Sequence, residues 1–175
     1  DRMLVDPSLK RVMPITTMEK CTVDATTVIT GTTQFAGGIC GKAYGVLIYD
    51  CHNQADVTGK NCVGGVSGYM RDYQKNEHGL IVNCSSTNST IVGQTNYGAI
   101  CGMLEHDNNH TGALTAVVGC YTNSVVANNK IVDKFARGQE KVYGNYAAGT
   151  TADVDVLNAE IKEYNDFIEK YNVDF

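Results

Sequence analysis

The sequence predicts an all-β fold: a parallel β-helix of about four rungs, right-handed by the default of such coils, with a C-terminal amphipathic α-helix as its cap. Three observations predict it. A glycine motif recurs at Phe35-Ala-Gly-Gly-Ile-Cys-Gly41, Cys62-Val-Gly-Gly-Val-Ser-Gly68 and Asn96-Tyr-Gly-Ala-Ile-Cys-Gly102. Each copy leads to a short apolar run ending in cysteine, so Cys51, Cys84 and Cys120 share one repeat position with the earlier Cys21, at spacings of 30, 33 and 36. A period of about 30 residues marks a solenoid or array. The runs between glycines are short and rich in Val, Ile, Thr and Tyr, which is strand language. From Asp153 onward the pattern changes to helical spacing.

Composition agrees. The 175 residues suit one domain. Hydrophobic residues make up 43% and charged residues only 19%. Gly (18), Thr (17) and Asn (15) supply much of the rest, and all three are poor helix formers, which argues against a helical bundle. No apolar run approaches the roughly 18 residues of a membrane-spanning helix. A pI near 5.3 without a Lys/Arg cluster argues against a nucleic-acid partner. The net charge of −5 is local: residues 151–175 hold seven acids and two lysines, and the remainder is neutral.

Residues 1–150 are assigned to the solenoid, with repeat units near 18–34, 35–61, 62–95 and 96–132. A partial first copy runs from Cys21 to Gly31. Gly37, Gly38 and Gly41 recur as Gly64, Gly65 and Gly68, where a corner needs positive φ or close backbone approach. Residues 133–150 read as a final irregular rung or a linker. In the capping segment, 151–175, Val154, Leu157, Ile161, Tyr164, Ile168 and Tyr171 fall on one helical face. Thr151 or Asp153 can cap its start. An isolated helix of this length needs something to pack on, and the open end of the coil is the expected place.

Seven cysteines cannot all pair within one chain. Equivalent cysteines in stacked strands lie about 4.8 Å apart with parallel side chains, which disfavours a disulfide. Cys21, Cys51, Cys84 and Cys120 are therefore expected as buried free thiols acting as small hydrophobes. No C-x₂-C pair occurs and a linear ladder cannot surround zinc, so no metal or other cofactor is expected.

Two insertions interrupt the same repeat position: Tyr69 to His78, and Met103 to His110. Insertions at one position of a solenoid project on one side, often the binding side. Tyr69, Tyr73, His78, Glu105, His106, Asp107 and His110 are the candidate binding residues. His52 directly follows the ladder residue Cys51, and Asp50 precedes it. The acids do not recur as the carboxylate pair that a glycosidase requires, and no G-x-S-x-G elbow or P-loop is present, so no catalytic residue is assigned. Tyr44, Tyr69, Tyr73, Tyr97 and Tyr121, with the many asparagines, could stack on and hydrogen-bond sugars.

Gly37 to Gly41, followed by Gly45, Val46, Cys51, Asn53, Val57 and Gly59, resembles the GLUG-type repeat of bacterial surface proteins, as found in gut Bacteroidetes. The second unit matches at Gly64, Gly65, Val66, Gly68, Gly79, Leu80 and Cys84, while the third departs at Ala99 and Gly119. The resemblance covers about residues 18–132. It implies a β-solenoid in an extracellular, adhesin-like setting and implies no catalytic site. The functional expectation is a non-enzymatic surface module, structural or adhesive, binding glycans or surface proteins as part of a larger protein whose signal and anchor lie outside this chain. The rival expectation is a carbohydrate-active enzyme or an accessory glycan-binding component.

Overall fold

The computed structural model describes residues 16–74, 77–110, 112–150 and 153–171, with the side chains of residues 170 and 171 excepted. The chain winds into a parallel β-solenoid of about four turns followed by one helix, α1 (Val154–Tyr171). Five sheets form the walls. The first stacks Thr16–Glu19, Val46–Tyr49, Gly79–Val82, Thr115–Val118 and Lys141–Tyr143. The second stacks Thr22–Val23, His52–Asn53, Ser85–Ser86, Tyr121–Thr122 and Tyr146–Ala147. The third stacks Val28–Thr30, Asp56–Thr58, Thr90–Val92 and Val125–Val126. The fourth stacks Ala36–Gly37, Asn61–Gly64 and Thr95–Gly98. The fifth stacks Cys40–Tyr44, Ser67–Arg71, Cys101–Glu105 and Val132–Phe135. Residues 133–150 are thus ordered coil: they supply the last strands of the first and second sheets and most of the last strand of the fifth.

Strand alternation sorts the core. Ile48, Ile81 and Val117 are register partners and point inward, where they meet Val66, Met70, Ile100 and Leu104. The cysteines continue this interior. Cys51, Cys84 and Cys120 are buried, Cys21 at the first turn is half-buried, and all seven cysteines are free thiols. The backbone N–H of Cys21, Cys51 and Cys84 each donates to the sulfur of the next rung at 3.4 Å. The thiols of Cys51, Cys84 and Cys120 lie 3.3–3.4 Å from the carbonyls of Tyr49, Val82 and Val118. Asn145 ends the ladder. Its amide oxygen accepts from Cys120 N at 2.8 Å and its amide nitrogen donates to Val117 O at 2.8 Å, the preceding-rung contact that corresponds to Cys120 Sγ with Ile81 O at 3.6 Å.

The corners differ from the expectation in one respect. None of Gly37, Gly38, Gly41, Gly64, Gly65 and Gly68 has positive φ. One left-handed corner falls on the residue before each ladder position, at Lys20, Asp50, Asn83, Gly119 and Gly144, and another opens the second and third glycine motifs at Cys62 and Asn96. Asp and Asn tolerate that conformation better than most non-glycine residues. The paired glycines serve close approach. A Cβ on Gly65 would sit 2.1 Å from Ser86 Oγ and 2.2 Å from Ala99 O.

The helix also differs from the expectation, because it covers a flank of the coil and not its open end. Leu47, Leu80 and Ala116 alternate with the core row and point outward from the first sheet, yet they are buried. With Val82, Val118 and Tyr143 they pack against Tyr164, Phe167 and Ile168 of α1. The physical reason is that the first sheet is apolar on both faces. An 18-residue helix is about 27 Å long, enough to span five strands stacked over about 19 Å. Asp153 caps it, its Oδ1 accepting from the backbone N–H of Asp155 and Val156; Thr151 lies outside the described residues. Phe135 and Val142 pair in register with the core residues Leu104 and Val117 but are 37% and 43% exposed, so the last turn stays open among the described residues. No described helix is long and apolar enough to cross a membrane.

Candidate functional site

The two insertions leave the fifth sheet at the same level and meet before the first sheet begins. Register brings them together: Arg71 pairs with Glu105, which sets Asp72 beside His106. Asp72 is completely buried and organises both loops. Its Oδ1 accepts from the backbone N–H of Asp107 at 2.8 Å, and its Oδ2 lies 2.7 Å from His110 Nδ1 and 3.5 Å from His106 Nδ1. Thr115, at the start of the first sheet, donates its hydroxyl to Glu105 O and accepts from Asp72 N. A buried carboxylate is tolerated only when its charge and lone pairs are answered, and these partners answer them.

Above this buried node lies a charged layer. Arg71 pairs with Asp107 and sits 3.8 Å from Glu105. Arg137, from the final turn, approaches Glu105 at 3.3 Å. Tyr69 donates its hydroxyl to the other oxygen of Glu105 at 2.9 Å. Burial, then the Glu105 charge, pushes the Tyr69 phenol well above its ordinary range. The backbone N–H of Asn109, followed by the charges of His110 and Arg71, holds the Asp107 carboxyl below its ordinary range. His106 is buried, and its N–H and that of Arg137 both donate to Glu140 Oε1 at 2.8 Å.

His78 has a different role from the loop contact expected of it. Its ring is buried, Nδ1 accepts from Leu114 N at 2.9 Å, and the ring meets Phe167 of α1 edge-on at 6.2 Å. Burial outweighs the nearby Asp72 charge and lowers its pKa to about 4, so this imidazole is neutral at pH 7. Tyr69 is likewise a covered residue, only 5% exposed. Tyr73, at 54% exposed, projects beside Gly45. Lys75, Asn76 and Thr111 of these loops lie outside the described residues.

The fifth sheet extends this surface with an aromatic and cationic strip. Lys42 Nζ lies 4.8 Å from the Phe35 ring, 4.9 Å from Tyr44 and 5.6 Å from Tyr69. Tyr44, 40% exposed, meets Tyr69 edge-on at 5.7 Å and has the Arg71 guanidinium over its ring at 6.0 Å. Asn108 and Asn109 are exposed beside it in sequence with Asp107. The arrangement can stack a flat apolar face on Tyr44 and offer charged and amide hydrogen bonds around it. Of the other tyrosines with sugar-stacking potential, Tyr97 and Tyr121 are half-buried on other sheets. No group of three His, Cys, Asp or Glu side chains arranged to hold a metal occurs among the described residues.

The sequence singles out Glu105, His106, Asp107 and His110, which share one insertion, but not Asp72, Arg71, Thr115, Arg137 and Glu140, which the structure sets around them. One signal was available. The two insertions begin at equivalent positions, so Arg71-Asp72 in one aligns with Glu105-His106 in the other, as opposite charges would in stacked strands. Comparison with protein-family models, with curated proteins and with solved structures returned no match.

Proposed function

We propose that the chain is an extracellular surface module, structural and adhesive, whose insertion side binds glycans without cleaving them. The observation that carries this reading is the exposure of Tyr44 beside Lys42 and Arg71 on a strip held rigid by the solenoid wall, with Tyr73 exposed in the adjoining insertion. Sugar recognition combines a flat apolar contact with fixed polar groups around it, and a rigid platform loses little entropy on binding. The carboxylates of the insertion side serve the platform: Asp72 is enclosed, and Glu105 and Asp107 face arginines. The resemblance of the repeats to GLUG-type surface proteins supports the adhesive setting and a place within a larger surface protein.

A glycan array followed by calorimetry on the strongest binder tests the proposal. Tyr44→Ala and Tyr73→Ala are each expected to weaken binding by about 1 kcal/mol, roughly fivefold in Kd. Unchanged affinity in both variants, or release of shortened sugar chains from the bound glycan, overturns it. Capture of a surface protein with no glycan bound would assign the strip to protein contacts instead.

A further inference from the structure

The second sheet carries another constellation on its outer face. His52 Nδ1 lies 2.8 Å from Ser85 Oγ, and His52 Nε2 lies 3.2 Å from Asp50 Oδ1. Asn83 donates from Nδ2 to the same Asp50 oxygen at 3.3 Å. The fold assembles these groups by stacking. Asp50 and Asn83 occupy the left-handed corner on successive rungs, and Ser85 is the register partner of His52. All four residues are half-buried and keep contact with solvent.

The electrostatics select the tautomer. A carboxylate facing Nε2 favours the proton on that nitrogen, which leaves the Nδ1 lone pair to accept the Ser85 hydroxyl. Hydroxyl, imidazole and carboxylate then stand in the order of a general-base relay, with the two ring nitrogens exchanged relative to the usual serine hydrolases. The neighbouring hydroxyls of Ser86, Ser89 and Ser124 instead bond one another at 2.7–3.2 Å. Tyr121, the register partner of Ser85 on the far side from His52, stacks on Tyr146 with ring centroids 5.8 Å apart and offers a flat wall next to the hydroxyl.

We infer that Ser85 is an activated nucleophile that takes an acyl group from carboxylic esters, with aryl esters favoured by the tyrosine wall. Ser85 Oγ attacks the ester carbonyl carbon while His52 Nδ1 takes the hydroxyl proton. The bond to the leaving alcohol breaks, and His52 returns the proton to its oxygen. Water then enters by the same path, releases the carboxylic acid and restores Ser85. Asp50 and Asn83 are positioning residues that hold the imidazole. The backbone N–H groups of His52 and Ser85 are committed to Cys21 O and Cys51 O, so neither serves as an oxyanion donor. One such donor is worth about 10²–10³ in rate, so acylation is slow and the covalent adduct is the better readout.

The test uses the full chain with an alkyl fluorophosphonate and, in parallel, p-nitrophenyl acetate, with the adduct mapped by peptide mass spectrometry. The expected adduct is on Ser85, and Ser85→Ala loses it. His52→Gln slows labelling about 100-fold or more. Asp50→Asn lowers the limiting labelling rate and leaves the half-saturating reagent concentration unchanged, whereas a purely structural role would leave both alone. An adduct on Ser86, Ser89 or Ser124 in place of Ser85, or an equal rate in His52→Gln, overturns the inference. The wild-type map decides even where a variant does not fold, since absence of a Ser85 adduct is itself a refutation. Glycan binding on the insertion side is independent of this result.

Discussion

At the scale of single residues, stacking decides which substitutions are costly. Gly65 is the sharpest case, because a Cβ there would enter backbone and side-chain atoms of two neighbouring segments. Gly65→Ala is expected to destabilise by about 3 kcal/mol, the upper end of core overpacking with backbone shift. Gly138, at φ +77° with nothing within 4 Å, is the control: Gly138→Ala meets only the left-handed penalty of about 1–2 kcal/mol. Urea unfolding of the two variants measures the difference, and equal losses would contradict the close approach assigned to Gly65. The same logic explains why the ladder accepts cysteine. A thiol is small and apolar enough for the interior, yet it can accept a backbone N–H from the rung before and face a carbonyl of that same rung. Where the ladder stops, Asn145 supplies both functions with an amide.

At the scale of elements, α1 is half of a sheet–helix sandwich. Its heptad-like spacing was legible in the sequence, but its destination was not. Helical periodicity reports that a face must be buried and says nothing of where. The deciding feature was the apolar run in the three central strands of the first sheet, such as Leu80-Ile81-Val82, which marks burial on both faces. Tyr164 is central to this contact and fully buried, with burial pushing its phenol far above the ordinary range. Tyr164→Ala is expected to cost about 3–5 kcal/mol, as for other large aromatic truncations. Asp153→Ala, which removes only the cap, should cost about 1 kcal/mol. Denaturation midpoints compare them, and a cap loss as large as the tyrosine loss would contradict the packing described.

At the scale of the whole molecule, His78 couples an insertion to α1 and makes stability depend on pH. Its folded pKa of about 4 lies below the ordinary 6.5, so the unfolded chain binds the proton more readily. Its contribution is therefore fully present above pH 6.5 and is lost as the pH falls toward 4, on the order of 3 kcal/mol in all. His78→Gln should flatten the urea midpoint across that window, and an unchanged slope would place the effect elsewhere. The sequence by itself determined the class of fold, the inward rows and the rung period. These follow from strand alternation and a repeating glycine and cysteine register, which are local and periodic. It also identified where the insertions emerge. Only the tertiary structure decided that Asp72 is the buried node between them, that α1 lies along a flank, and that Asp50, His52 and Ser85 meet on one face. The reason is stacking: residues about 33 apart become neighbours at strand spacing, and which side chains then touch depends on register and on how far each corner turns.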